Sequence, residues 1–313
     1  MEVKISIIGL GNMGLNHLRL LSQFKNVKIP YIYDKNFQKT KFYSKKYKIN
    51  YTNNLNSLLK ESDGVIIATP TSTHYNYIKK SSKFLKNIFV EKPLTASYKE
   101  ALKIKKLQKL QKLKIQCGFI ERYNAVTPII KKICKKEKSI CVDFSRTDKL
   151  SDRIKDVNIV FDLMIHDIDL AIFFNGKIKK IFATGVKKKK DIVFAIANFI
   201  HTNNVITKIE ASKITNKKIR LLNLTTKNSY VVANLLTKEI TLNRQTNLKY
   251  QNPLTISAHE EKVLVTPVES LQKELFDFVN LCLNKKISVP NINESIENIK
   301  ICEKIVNEIN KKS

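Results

Sequence analysis

Short apolar runs alternate with longer amphipathic stretches over the first 120 residues of this 313-residue chain. The apolar runs are about five residues long and are bounded by turn-forming residues, as buried strands usually are. The predicted strands cover residues 3–8, 28–33, 64–69, 87–91 and 114–118. The predicted helices cover residues 13–24, 36–47, 54–60, 73–85 and 97–112. Because helices separate the strands, the pattern predicts an α/β fold with a doubly wound parallel sheet.

The pattern changes after residue 120 and becomes rich in strands. Helices are predicted over residues 122–135, 161–174, 267–284 and 293–311, and strands at 139–147 and throughout 178–265. Apolar and polar residues alternate in 193–200 and 219–224, and Thr226-Lys-Asn-Ser229 predicts a hairpin turn. Strand following strand indicates an α+β domain with a large, mainly antiparallel sheet. We therefore expect two domains, residues 1–120 and residues 121–313.

The net charge of +30 comes from 57 basic and 27 acidic residues, a balance that invites a nucleic-acid interpretation. However, only six of the basic residues are arginine, the side chain favoured for base readout and phosphate clamping. The lysines are spread over every predicted helix, and the densest run, Lys187–Lys190, lies where a hairpin is expected to turn. The sequence therefore predicts no specific nucleic-acid partner.

Several other classes of protein are also disfavoured. No stretch approaches the roughly 20 apolar residues of a membrane span, so no membrane association is expected. The sequence enters its first predicted strand at once, which predicts no secretory or transit segment. The five cysteines include no Cys-x-x-Cys pair, which favours reduced thiols in a cytoplasmic protein.

The first predicted strand runs directly into Gly9-Leu-Gly-Asn-Met-Gly14. In dinucleotide-binding folds, such glycines permit a tight turn, the approach of a pyrophosphate and close packing of the next helix. Asp34 ends the second predicted strand about 20 residues later, the spacing of the ribose-binding acid. Because a carboxylate there repels a 2′-phosphate, the sequence predicts NAD as the cofactor. The alternative is that the glycines form a turn in some other kind of α/β protein, in which case Asp34 would only cap a helix.

Two further segments follow predicted strands, at the edge where open α/β sheets bind their ligands. In Ala68-Thr-Pro-Thr-Ser-Thr-His74, the first threonine and the proline are expected to line the path of the cofactor. The histidine of this segment is interpreted as a packed or capping residue rather than as a catalyst. Glu91-Lys-Pro93 ends the next strand, and its lysine is positioned to shuttle a proton or polarise a carbonyl.

Asp162 and His166 are four residues apart, so on a helix they would share one face. Histidine is a natural general base near neutral pH, and a carboxylate one turn away orients it. The alternative is an acidic cluster at a helix N-terminus, with the histidine on the surface. Asp167 and Asp169 are interpreted as structural. A metal bound by Asp162, His166 and Asp169 has no support from another ligand cluster, so no metal is expected.

In order and spacing, these motifs resemble those of the Gfo/Idh/MocA oxidoreductases, over essentially the whole chain. The resemblance implies an N-terminal Rossmann domain and a nicotinamide-dependent dehydrogenase acting on a sugar or polyol. It implies that Lys92, Asp162 and His166 form the catalytic set and that the Lys92–Pro93 bond is cis. It also implies that the open face of the second-domain sheet forms homodimers or homotetramers. The expected cofactor-binding residues are Gly9, Gly11, Asn12, Met13, Gly14, Asp34, Thr69, Pro70, His74, Glu91 and Lys92.

A narrower resemblance, to the UDP-N-acetylglucosamine 3-dehydrogenases, is carried by three segments. They are Cys117-Gly-Phe-Ile-Glu-Arg-Tyr-Asn124, Asp156-Val-Asn-Ile-Val-Phe-Asp-Leu163 and Glu210-Ala-Ser-Lys-Ile-Thr-Asn-Lys-Lys-Ile-Arg220. Such enzymes oxidise the sugar 3-hydroxyl to a ketone, which an aminotransferase partner converts to an amine. The expected substrate-binding residues are Lys92, Arg122, Tyr123, Asn124, Arg153, His166, Lys218 and Arg220. Of these, Arg122, Arg153, Lys218 and Arg220 are expected to contact a diphosphate. A dehydrogenase of free polyols such as inositol, or a non-catalytic NAD-binding regulator, are the alternatives.

Overall fold

The computed structural model describes residues 2–149, 158–246 and 257–311 and divides into two compact units. The first unit comprises the residues up to Ile120 together with Ser270–Lys300. The second comprises Glu121–Glu269 and the residues from 301 onwards. Residues 270–300 therefore belong to the first unit, whereas all residues after 120 were expected to form one domain.

The first unit alternates strands with helices. Its strands are β1 (Val3–Ile8), β2 (Val27–Lys28), β3 (Ile32–Tyr33), β4 (Gly64–Ile67), β5 (Asn87–Glu91) and β6 (Lys114–Gly118). Its helices up to residue 120 are α1 (Asn12–Leu21), α2 (Phe37–Tyr47), α3 (Leu55–Lys60), α4 (Thr71–Ser81) and α5 (Tyr98–Gln111). The predicted strand 28–33 is divided into β2 and β3 because Pro30, which lies between them, has no N–H to donate to a strand ladder.

All strand pairs of this sheet are parallel, in the order β2-β1-β4-β5-β6, with β3 also pairing with β1. The predicted parallel Rossmann-type sheet is therefore confirmed. The central strands are apolar and buried along their length, as strands covered on both faces are. Because β1, β4 and β5 are neighbours and parallel, their carboxyl ends lie side by side at one sheet edge.

The second unit is built on a long sheet. Its strands are β7 (Ser139–Thr147), β8 (Ile178–Lys188), β9 (Asp191–His201), β10 (Ile206–Ser212), β11 (Ile219–Thr226), β12 (Ser229–Asn234), β13 (Glu239–Thr246) and β14 (Ser257–Val263). Its helices include α6 (Val126–Glu137) and α7 (Ile165–Asn175). Among the described residues the strand order is β14-β13-β12-β11-β7-β10-β9-β8. Of the described strand pairs in this sheet, only β7–β10 is parallel, so the prediction of a mainly antiparallel sheet is confirmed.

The two faces of this sheet differ in burial. Ala195, Ala197 and Phe199 of β9 are fully buried on one face. On the other face, Phe182 and Val186 of β8 are each 53% exposed. The alternation seen in the sequence therefore separates an inner face from an open face.

Two helices complete the described chain, α8 (Ser270–Cys282) and α9 (Ile292–Lys311). Helix α8 belongs to the first unit because its apolar face is buried there: the Phe278 ring centroid lies 5.6 Å from that of Phe89 on β5. The end of α9 belongs to the second unit, where Glu308 accepts the backbone N–H of Ala183 at 2.8 Å. Helical periodicity shows which face of a helix is apolar, but it does not show which sheet that face covers.

A buried charge network ties α7 to the sheet of the second unit. Arg146 on β7 is 3% exposed. It donates through Nε and Nη2 to the two carboxylate oxygens of Asp167, and each hydrogen bond is 2.7 Å long. Its Nη1 donates to Glu121 at 2.8 Å. Such a bidentate pair fixes orientation as well as charge.

No helix in the described part of the chain combines the length and apolarity needed to cross a membrane.

Replacing Asp167 with asparagine should lower the apparent free energy of unfolding by about 3–5 kcal/mol, because it leaves the buried Arg146 guanidinium undercompensated. The matched control is Asp143→Asn, since Asp143 pairs with the half-exposed Lys208 at 3.2 Å. This exposed pair should contribute less than about 1 kcal/mol. Urea unfolding followed by circular dichroism measures both variants. Equal losses in the two would contradict the structural role given to Asp167.

Candidate active site

The glycine turn between β1 and α1 is packed too tightly for side chains at two of its three glycines. Gly9 has a φ of +94°, and a Cβ there would lie 2.5 Å from the Ala68 carbonyl oxygen. A Cβ at Gly14 would lie 1.9 Å from the Gly9 oxygen. At Gly11 nothing lies within 4 Å of the added Cβ. The turn therefore needs Gly9 and Gly14 for packing, whereas Gly11 leaves space above the backbone.

That space lies at the N-terminus of α1, which begins at Asn12 with no side-chain cap and no acidic residue in its first turn. Gly11 and Asn12 are exposed. Unpaired N–H groups at a helix start and the positive end of the helix dipole favour an anion such as a pyrophosphate. The residues present therefore fit a dinucleotide.

Asp34 lies directly after β3 and is bonded to this turn. Its Oδ2 accepts the N–H of Leu10 at 2.7 Å, and its Oδ1 accepts the N–H of Asn36 at 2.8 Å. The Tyr77 hydroxyl on α4 is close by: burial, and then Tyr33 and Asp34, raise the pKa of Tyr77 to about 12. Asp34 and the glycine turn are therefore held together, as the fingerprint spacing predicts.

The segment after β4 is organised by His74, which is 1% exposed. Its Nε2 lies 2.9 Å from the carbonyl oxygen of Thr69, and its Nδ1 lies 2.8 Å from that of Pro93. Thr69 is half-buried and Pro70 is exposed at the start of α4. The ring of His74 thus contacts the protein backbone on two sides, as expected of a packed residue.

Lys92 follows β5 and is half-buried, and the Lys92–Pro93 bond is cis. The backbone N–H of Lys92 donates to Glu91 Oε2 at 3.3 Å. The other oxygen of Glu91 accepts from Nε2 of the buried His17 at 2.7 Å. The Glu91 carboxylate, expected at the cofactor, therefore has partners inside the unit. His17 was not singled out in the sequence.

In the second unit, Asp162 lies in a π-helical turn, Val160–Met164, and His166 lies in the first turn of α7. Asp162 is 4% exposed, whereas His166 is partly exposed. The shared face of Asp162 and His166 was expected from α-helical spacing. With a wider π turn at its start, four residues still complete about one turn, and such turns are frequent at functional sites.

Asp162 has a partner that the sequence analysis did not identify. Lys213, directly after β10, places its Nζ 3.0 Å from Asp162 Oδ2, and the lysine side chain is only 18% exposed. The backbone N–H of Lys213 donates to the Val193 carbonyl at 2.9 Å. Lys213 lies in the quoted Glu210–Arg220 segment, but in a chain so rich in lysine its residue type gave no further signal.

Two predicted diphosphate ligands are engaged within the second unit. Arg122 donates to both carboxylate oxygens of Asp169 at 2.7 Å, and its guanidinium lies 4.9 Å from the Phe173 ring centroid. Arg220 is 8% exposed and donates to Asp148 at 3.1 Å and to the Thr147 carbonyl. Both forks thus have acidic or carbonyl partners within the unit, and their assignment as diphosphate contacts stays a prediction.

The remaining predicted substrate contacts have different environments. Tyr123 and Asn124 are buried, and Asn124 donates to the Leu235 carbonyl at 2.9 Å. Asn124 also accepts the N–H of Val126. Helix α6 begins at Val126, four residues after the predicted start at residue 122. Lys218 is exposed. Arg153 lies outside the described residues.

Within residues 2–149, 158–246 and 257–311, no group of three or more His, Cys, Asp or Glu side chains is arranged to hold a metal ion.

Changing Gly11 to alanine should weaken NAD binding while leaving the melting temperature near that of the wild type, because the new methyl group meets only open space. Changing Gly14 to alanine should lower the melting temperature, because the methyl group meets the Gly9 carbonyl. NADH fluorescence titration and thermal unfolding measure the two quantities. Unaltered NADH affinity in Gly11→Ala would contradict the position proposed for the pyrophosphate.

Comparison with known proteins agrees with this geometry. Residues 3–119 match the model of the Gfo/Idh/MocA oxidoreductase family, described as an NAD-binding Rossmann fold. The UDP-N-acetylglucosamine 3-dehydrogenase of Acidithiobacillus ferrooxidans is 21% identical over 287 residues, or 89% of this chain and 88% of that protein. The scyllo-inositol 2-dehydrogenase (NAD+) of Bacillus subtilis is 31% identical over 127 residues, or 39% of this chain and 37% of that protein.

Solved structures share the fold. The Acidithiobacillus ferrooxidans enzyme matches with a TM-score of 0.90 at 19% identity, covering 99% of this chain and 98% of that one. Levoglucosan dehydrogenase, in complex with NADH and levoglucosan, matches with a TM-score of 0.85 at 14% identity, covering 100% and 98%. The family resemblance, the parallel sheet and the predicted cofactor class are thereby confirmed. Residues 3–119 therefore match the NAD-binding Rossmann fold of the Gfo/Idh/MocA oxidoreductase family.

Proposed function

We propose that this protein oxidises the 3-hydroxyl of a UDP-N-acetylated hexosamine to a ketone, with NAD as the hydride acceptor. The observation that carries the reaction is the position of Lys92. This half-buried residue follows β5 at its carboxyl end, beside the strand edge where the glycine turn and Thr69 lie. The substrate class rests on the relative that matches over 88% of its own length.

In the proposed reaction, His166 removes the proton of the substrate hydroxyl and Lys92 donates a hydrogen bond to the same oxygen. Lys92 thereby stabilises the negative charge that develops on this oxygen as the proton leaves. Asp162, held by Lys213, orients His166. When bound, NAD supplies the hydride acceptor. The fit of the cofactor rests on the open space at Gly11 and on the uncapped start of α1.

An anionic substrate is favoured by the charge of the chain. A net charge of +30 attracts a nucleotide diphosphate over long distances and raises its association rate. Exposed Lys218 remains a proposed diphosphate contact. Arg122 and Arg220 remain proposed contacts as well, each already anchored by an acidic partner within the unit.

We also propose that the chain forms homodimers or homotetramers through the open face of its long sheet. Support comes from exposed apolar side chains there, including Phe182, Val186 and Ile206. A reducing, cytoplasmic location is supported by the five cysteines, which form no disulfide in the described part of the chain and of which four are buried. An aminotransferase acting on the ketone is the proposed metabolic partner.

His166→Ala and Lys92→Met should each reduce NADH formation from UDP-N-acetylglucosamine by about 10²–10⁴-fold, because each removes a group that acts in the transition state. Absorbance at 340 nm follows the reaction, and NADH titration checks that cofactor affinity is retained. Near-wild-type turnover in either variant would eliminate the role given to that residue.

Thermal unfolding, together with the assay at 340 nm, discriminates between substrates. UDP alone should raise the melting temperature of the wild type, since a ligand that binds the folded state stabilises it. Turnover of myo-inositol, with no stabilisation by UDP, would replace the nucleotide-sugar proposal with a free-polyol dehydrogenase. The absence of turnover with sugars and polyols, despite tight NADH binding, would favour a non-catalytic regulator.

Changing Asp34 to serine should weaken NAD binding and relax the discrimination against NADP, because the carboxylate that repels a 2′-phosphate is removed. The ratio of kcat/KM for NAD to that for NADP measures this preference. The control is Asp63→Ser, which removes another backbone-bonded carboxylate, 2.8 Å from the Lys4 N–H. An unchanged ratio in Asp34→Ser would contradict the ribose assignment.

A further inference from the structure

The backbone on the N-terminal side of Lys92 is held by a buried imidazole. His17 of α1 is fully buried, and its Nε2 donates to Glu91 Oε1 at 2.7 Å. The ring packs edge-on against Phe89, with a centroid distance of 5.1 Å. Its Nδ1 has no hydrogen-bond partner among the described residues, so the contact with Glu91 is the polar interaction that sets the ring. Glu91 in turn accepts the N–H of Lys92.

The backbone on the C-terminal side of Lys92 is held by a second buried imidazole. The Nδ1 atom of His74, on α4, lies 2.8 Å from the Pro93 carbonyl oxygen. The Nε2 atom of the same ring lies 2.9 Å from the Thr69 carbonyl oxygen. The ring therefore lies between the segment that follows β4 and the segment that carries Lys92, with one nitrogen facing each.

Both histidines lie on helices that begin at the cofactor edge of the sheet. Helix α1 starts at the glycine turn, and α4 starts directly after Thr69 and Pro70. The peptide groups on either side of Lys92 are thus tied to the two turns that the cofactor is expected to contact. Apolar side chains would fill the same interior space without the desolvation cost of a buried carboxylate and two imidazoles. The polar contacts therefore add orientation rather than burial.

We propose that His17 and His74 are positioning residues, which hold Lys92 in register with the cofactor-binding turns through Glu91 and Pro93. The inference rests on the proposed role of Lys92 in the dehydrogenase reaction. Neither histidine is assigned contact with the substrate. Misplacing a transition-state group by about 1 Å costs on the order of 100-fold in rate, so loss of either contact lowers kcat.

Side-chain amides provide a test in matched pairs. The amide nitrogen of glutamine reaches about as far as Nε2 of histidine, and that of asparagine about as far as Nδ1. His17→Gln should therefore keep the bond to Glu91, and His17→Asn should lose it. At the other site the order reverses: His74→Asn should keep the bond to Pro93, and His74→Gln should lose it.

The first readout does not depend on turnover. Acetic anhydride labels lysine amines, and peptide mass spectrometry compares the rate at Lys92 with that at the exposed Lys86. The rate at Lys92 should rise several-fold in His17→Asn and His74→Gln and stay near wild type in His17→Gln and His74→Asn. His201→Leu is the structural control, because His201 is also buried and bonded on both nitrogens, to Gly176 and Thr207.

The second readout is kinetic, with UDP-N-acetylglucosamine and NAD at a temperature well below each variant's melting point. The two variants that lose a contact should lower kcat by about 10–100-fold, with little change in KM for NAD. Wild-type labelling and kcat in both would overturn the inference, as would equal effects in His201→Leu. If the wild type does not turn over the sugar, the proposed function fails, and the labelling pattern still decides whether the histidines hold Lys92.

Discussion

The close approach of helix α1 to the turn that precedes it is the constraint on which the first unit depends. A Cβ at Gly14 would come within 1.9 Å of the Gly9 carbonyl oxygen, so only glycine permits this spacing. The same approach places the uncapped N–H groups of α1 at the edge where β1, β4 and β5 end. It also brings Leu10 within reach of Asp34 and, further along the helix, His17 within reach of Glu91. The absence of a side chain at Gly14 is thus the steric condition on which the polar contacts of the cofactor edge depend.

In the second unit, buried ion pairs rather than close backbone packing position the helix that carries His166. Its helix α7 is oriented by two buried bidentate pairs, Arg146 with Asp167 and Arg122 with Asp169. These carboxylates point inward from the same short stretch of chain that carries the partly exposed His166. Buried ion pairs offset their desolvation only with good geometry, so they specify one arrangement of helix and sheet. The orientation of His166 follows from that arrangement.

Arginine and lysine have different positions in this protein, which changes the meaning of its charge. Three arginines of the second unit, at positions 122, 146 and 220, are largely buried and bonded to acidic partners. The run Lys187–Lys190 lies at the hairpin between β8 and β9, in solvent-accessible positions. A planar, weakly hydrated guanidinium is suited to internal forks, and an ammonium to the surface. The electrostatic field that attracts anions therefore comes mainly from surface lysines, whereas these three arginines form ion pairs inside the second unit.

Local patterns in the sequence determined the elements, the parallel and antiparallel sheets, the glycine turn and the placement of Asp34 and Lys92 at strand ends. These properties depend on residues close in the chain, where periodicity, turn residues and spacing carry the information. The tertiary structure alone decided that α8 packs on the first unit, that Asp162 pairs with Lys213 and that His17 bonds to Glu91, 74 residues away. It also decided that Arg122 and Arg220 are engaged internally. Partner choice among many similar cations and carboxylates depends on distances between remote segments, which packing sets and no local pattern encodes.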